Sequence, residues 1–100
     1  MPPHRLLTTL RRSVAVIAAF GALQTIPGIV AFETGVNDSP ENLNKGLTHS
    51  FVVTFAAAAD RDAYLPHPDH QKFVADWVMK TIPGSDLPYV KDVCVFDYAL

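Results

Sequence analysis

Three residues in the run Tyr64-Leu-Pro-His-Pro-Asp-His70 carry most of the chemistry the chain could do: Tyr64, His67 and His70. An imidazole can take a proton near neutral pH and a phenol can donate a hydrogen bond to a developing oxyanion, the two roles needed when a base works beside a carbonyl. On these residues alone a plainer reading stands beside that one, in which His70 is a core histidine bonded to nearby backbone and Tyr64 only packs. His49, His67 and His70 could also be read as metal ligands. No cysteine or carboxylate stands at matching spacing, however, and His67 lies at a helix start, pointing elsewhere, so no metal and no cofactor is expected. The single cysteine, Cys94, excludes an internal disulfide and any CxxC pair. Mid-strand and in apolar company, it reads as a small core residue.

The elements that must position these groups are legible in the spacing of apolar residues. Pro68 suits the first position of a helix and Asp69 its positive end, which puts His67 near the cap. Downstream, His70, Phe73, Val74, Trp77 and Val78 fall at i, i+3, i+4, i+7 and i+8, one stripe, while Lys72, Asp76 and Lys80 point away from it. His70 is therefore expected on the buried side. Ahead of it, residues 56–64 predict a short helix halted near Pro66.

Residues 47–55 read as a strand, with Leu47, His49, Phe51, Val53 and Phe55 on one face and Thr48, Ser50, Val52 and Thr54 on the other. Residues 29–36 predict another strand, placed after a first helix that Ile26-Pro27-Gly28 ends. The polar stretch 37–46 is a loop in which Glu41 and Asn44 organise the turn. Residues 89–98 read as a last strand, with Val93, Val95 and Asp97 on one face and Val90, Cys94, Phe96 and Tyr98 on the other. Asp97 is expected to accept a hydrogen bond at the strand end. Both faces are apolar, which implies helices on one side and a partner subunit on the other.

A chain of 100 residues fits one domain, and 49% hydrophobic against 18% charged residues gives it the material for a core. A formal charge of −2 lacks the basic excess that phosphate backbones attract, so nucleic acid is not an expected partner. Residues 1–32 hold three arginines and no acid, a distinct start. This start, followed by an apolar run from Ser13 to Phe20, imitates a secretory signal or an organelle presequence. A core-facing helix with Leu10, Val14, Ile17 and Gly21 at helical spacing accounts for the same residues, and a cytoplasmic location is the expectation. No apolar run reaches the ~20 residues of a membrane span.

Taken in order, Asn37-x-Ser39-Pro-Glu41, Gly46-x-Thr48-His49, Phe55, Tyr64-x-x-His67-Pro68-x-His70 and Phe96-Asp97-Tyr98 resemble the stress-responsive dimeric α/β barrel (Dabb) family, continuously from about Pro27 to Tyr98. The resemblance implies an α+β, ferredoxin-like βαββαβ unit with an antiparallel sheet and helices on one face, whose bare face packs against a second copy. It divides the chain into an N-terminal helix region, 1–26, and the family domain, 27–100, all one domain.

In the polyketide cyclases of that family a tyrosine and a histidine close a linear polyketide by aldol condensation, and by motif position these are Tyr64 and His70. The same correspondence places His49, Phe51, Val16, Ile17, Phe20, Phe73, Val93 and Val95 around a pocket, and the helical stripe adds Trp77. Phe20 stands where the cyclases carry a tyrosine. The function expected is therefore a homodimer with a small apolar-lined ligand pocket, the alternative being a cyclase acting on a polyketide or similar carbonyl compound. Family chains start with a strand that contains an early histidine. Met1-Pro-Pro-His-Arg5 is a poor strand, since prolines cannot donate ladder hydrogen bonds, so the first strand is expected to be truncated or absent.

Overall fold

The computed structural model describes residues 3–10 and 14–100; Met1, Pro2, Arg11, Arg12 and Ser13, part of the basic start, lie outside them. Four strands, β1 (His4–Leu10), β2 (Ile29–Val36), β3 (His49–Phe55) and β4 (Val93–Ala99), form one sheet in the order β2-β3-β1-β4. All neighbouring pairs are antiparallel. Helix α1 (Val14–Gly21) runs into a 3₁₀ turn, Ala22–Thr25. Helix α2 (Ala58–Tyr64) and helix α3 (Pro68–Phe73) follow β3, and α3 continues as a π-helical turn, Val74–Val78.

The expectation of a truncated or absent first strand is overturned. β1 is a full strand in the centre of the sheet, with His4 opposite Phe55 on one side and Ala99 on the other. The prolines precede the pairing segment, where a missing donor costs the ladder nothing. Leu10 belongs to this strand, so the helical spacing that began with it was fortuitous. The sequence beyond Pro3 has little strand character of its own, and pairing with two neighbours supplies the rest.

The last strand begins at Val93 rather than at residue 89. Thr81 and Pro88 form an isolated bridge before it, and Val90 turns inward to join the core. At the opposite end, Gly28 adopts φ 95°, and a Cβ there would lie 2.7 Å from the Cβ of Asp60. Only glycine fits, which lets the Gly28 carbonyl accept from the Ala56 N–H at 3.1 Å and ties the start of β2 to the start of α2. Asp60 in turn accepts from the Ala57 N–H at 3.1 Å, holding the first turn of α2.

Register decides which side chains meet the helices. Leu6 pairs with Val53 and with Asp97, so the face carrying Leu6, Phe51, Val53 and Phe55 is covered by helices and buried. Phe20 of α1 stacks on Phe51, with ring centroids 4.5 Å apart and planes within 3°, and Phe73 of α3 meets Phe20 edge-on at 4.9 Å. The other face, with Ser50, Val52, Thr54, Cys94, Phe96 and Tyr98, carries no layer among the described residues, and Phe96 is 52% exposed. A shortest dimension of 17 Å is that of one sheet and one helical layer.

Candidate functional site

Tyr64 is the last residue of α2, and its neighbours in the chain turn at once into α3. His67 caps that helix, its Nδ1 accepting from the Asp69 N–H at 3.1 Å, and Pro68 opens it. The tight α2–α3 junction brings the rings of Tyr64 and His70 to a centroid distance of 4.3 Å. Phe55 supports Tyr64 from the sheet at 5.1 Å.

The Nδ1 of His70 lies 2.9 Å from the carbonyl oxygen of Leu65. A carbonyl only accepts, so Nδ1 carries the hydrogen, and in the neutral ring Nε2 is left as the accepting, basic nitrogen. Gln71 donates to the same carbonyl at 2.8 Å. Tyr64 is 1% exposed, and its hydroxyl is buried with no hydrogen-bond partner among the described residues. Burial raises the phenol above its usual range, so it stays protonated and remains a donor.

Both residues line a cavity of about 230 Å³ between β1, β4, α1, α2 and α3. Phe20, Phe73, Val93 and Val95 line it with them. Leu6, Leu65, Val74 and Val78 complete the wall. The remaining residues that the sequence proposed for the pocket lie elsewhere. Phe51 is fully buried behind Phe20, and Val16 and Ile17 pack in the core behind it.

Trp77 packs edge-on against Tyr89 at 5.0 Å and borders a separate outer depression with Ala19, Ala22 and Asp76. The π turn explains this. The Met79 N–H donates to the Val74 carbonyl at 2.9 Å, five residues back, and the wider winding swings Trp77 to the far side of Phe73 from Val74.

His49 sits at the other end of β3, with Thr48 Oγ1 2.7 Å from its Nδ1, beside a depression of about 400 Å³ under the 37–47 loop. That depression is larger but holds no counterpart to the Tyr64–His70 pair.

A second polar cluster, which sequence reasoning missed, forms where Arg61 of α2 meets β1 and β4. Asp97 of β4 accepts from Arg61 Nη1 at 2.7 Å and lies 3.1 Å from His4 Nε2. Arg61 Nη1 is also 3.1 Å from that nitrogen. A guanidinium only donates and a carboxylate only accepts, so Nε2 of His4 accepts from Arg61 in one tautomer and donates to Asp97 in the other. Arg61 first and His4 second hold the Asp97 carboxyl below the usual carboxylate range. Residues 57 and 36 positions apart meet here, a separation that leaves no local pattern to read. Asp97 as an acceptor at the strand end was foreseen; its partners were not.

Among the described residues no group of three or more metal-ligating side chains occurs, and no helix is long and apolar enough to cross a membrane.

The βαββαβ order, the helices on one face and the bare face opposite define a ferredoxin-like α+β unit with an apolar cavity between sheet and helices. The chain belongs to the stress-responsive A/B barrel family, whose model matches residues 8–100. A hydroxynitrile lyase from Passiflora edulis superposes with a TM-score of 0.78 at 22% identity, over 99% of this chain and 94% of the lyase. A protein of Arabidopsis thaliana gives 0.76 at 27% identity, over 100% and 95% of the two chains. A dimeric ferredoxin-like protein of unknown function from Jannaschia gives 0.73 at 24% identity, over 98% and 99%. No curated protein matches the sequence.

Proposed function

We propose that the chain works as a homodimer in which each subunit holds a small apolar ligand against the Tyr64–His70 pair. The observation that carries this reading is the buried Tyr64 hydroxyl, with no hydrogen-bond partner among the described residues, beside a histidine whose tautomer leaves a basic nitrogen, in two residues that line one cavity. A polar group left unpaired at such a place is satisfied by a ligand oxygen. The bare sheet face, with Phe96 and Tyr98 exposed, supports pairing through that face, and the similar Jannaschia protein is dimeric.

A second reading, an enzyme, is favoured by the same tautomer. His70 Nε2 would take a proton from carbon beside a carbonyl, the electron pair moving onto the carbonyl oxygen, while Tyr64 donates to the resulting enolate oxygen. The carbon nucleophile then adds to a second carbonyl of the same molecule, which is an aldol-type cyclisation of the polyketide kind. Light scattering at micromolar concentration tests the assembly: a dimer mass is expected, lost in Phe96→Asp, and a stable wild-type monomer sinks it. Turnover of a linear polyketide that His70→Ala abolishes, with the dimer intact, supports the enzyme; unchanged turnover in that variant returns the protein to the binding class.

A further inference from the structure

The Tyr64–His70 cavity has one side open to solvent. Of the residues lining it, Leu6, Phe20, Tyr64 and Phe73 are buried, whereas Leu65, Val93 and Val95 are 40%, 46% and 55% exposed. Val93 and Val95 stand on β4, the last strand of the sheet, and all seven residues of that strand are exposed, whichever face they occupy. The layering explains this. Helix α2 packs over β1 and β3, and the sheet runs one strand further than that helix covers. An apolar wall left half in water neither gains the free energy of burial nor keeps water from whatever the cavity holds.

β4 is also an unprotected edge. The strand Val93-Cys-Val-Phe-Asp-Tyr-Ala99 has no proline, glycine or lysine, and its single charge, Asp97, is held by Arg61 and His4. β2, the edge at the other end, carries Glu33 and Gly35 and breaks register between Ile29 and Ala31. Phe96 and Tyr98 of the proposed dimer face alternate along β4 with Val95 and Asp97, at about 3.3 Å per residue, so the dimer face and the cavity wall are two sides of one strand that ends the sheet. We infer that the second copy wraps this free edge, burying Val93 and Val95 as well as Phe96 and Tyr98, and closes the open side of the cavity, so that each ligand site is complete only in the dimer. In a two-fold assembly the same contacts cover β4 of both copies. This rests on the homodimer reading above and adds that the partner reaches the helix-facing side of β4.

The test is light scattering of the full chain over a dilution series, comparing Val95→Asp, on the helix-facing side of β4, with Phe96→Asp, on the dimer face. Val95→Asp is expected to raise the dimer dissociation constant about tenfold or more, with an unchanged circular dichroism spectrum. Val95→Ser, a milder change at the same exposed position, should act in the same direction and serves if the charged variant does not fold. Methyl NMR of the wild-type chain with a neutral nitroxide in solution reads closure directly: the Leu65, Val93 and Val95 methyl signals should be broadened in the dilute monomer and protected in the dimer. Leu65 follows α2 in the helical layer, so its protection reports closure of the cavity rather than burial of the strand alone. A dimer as tight in the Val95 variants as in wild type, or Leu65 and Val95 methyls as accessible in the dimer as in the monomer, overturns the inference and leaves the homodimer through the bare face in place. A wild-type chain that stays monomeric at every concentration removes the homodimer reading, and the inference falls with it.

Discussion

Two histidines flank helix α2, and their surroundings give them opposite chemistry. His4 is buried beside Asp97 and Arg61, its Nε2 3.1 Å from both the carboxylate and the guanidinium of an ionic cluster. His70 is half-buried, has only a backbone carbonyl as partner, and faces a phenol across an apolar cavity. The first arrangement has its charges paired and fastens α2 to β1 and β4, with the buried Nδ1 of His4 making no hydrogen bond within the described residues. The second has no ion pair, and leaves a phenol donor unmatched among the described residues and a ring nitrogen accepting. Residue type is the same in both; the partner decides whether a histidine holds the fold or is available to a ligand.

Phe55 is the wall the two regions share, since it supports Tyr64 at 5.1 Å and pairs across the sheet with His4. Phe55→Ala removes a fully buried ring and should cost about 3–5 kcal/mol. Urea unfolding followed by circular dichroism measures it. A loss confined to one region, with native Tyr64 signals and a disturbed His4 or the reverse, would show that the two are not mechanically joined.

The ionic cluster is separable from the cavity by pH. Asp97 has its carboxyl lowered by Arg61 and then by His4. A group depressed in the folded state stabilises it above the unfolded carboxylate value of about 3.9, and that contribution is lost as pH falls through the lower folded value. Asp97→Asn should therefore lower stability near neutral pH, and its deficit relative to wild type should shrink below about pH 4. Asp76, lowered by Lys72, is present in both proteins and cancels from the difference. A deficit that stays constant into acid would mean that the carboxylate charge does not matter.

The cavity side of this contrast was largely legible in the sequence and the ionic side was not. Pro68, Asp69 and the stripe from His70 are local signals, and they put His67 at the cap and Phe73 in the core. Strand β2 lies within the limits its β-branched residues indicate. The ionic cluster draws on β1, α2 and β4, which only the folded sheet brings together. β1 itself was hidden because its pairing is non-local and the prolines ahead of it argue against a strand. Trp77 was misplaced for a different reason: a 3.6-residue period presumes an α-helix, and the chain changes to π winding at Val74.

The smallest expected effect has the opposite sign and isolates the unmatched donor. In the unliganded protein the Tyr64 hydroxyl is desolvated and makes no hydrogen bond within the described residues. Desolvating such a group without a bond opposes folding, so Tyr64→Phe should stabilise the free protein by about 1 kcal/mol while keeping the ring contacts with Phe55 and His70. The same change should weaken a carbonyl ligand, because the phenylalanine offers no donor. A stability gain coupled to an affinity loss is what a group retained for a ligand produces. Thermal unfolding of both proteins, with and without a small ketone as probe, reads the two effects together. Destabilisation of the free protein by Tyr64→Phe would show that the hydroxyl already has a partner, and the contrast between the two histidine regions would then lose its basis.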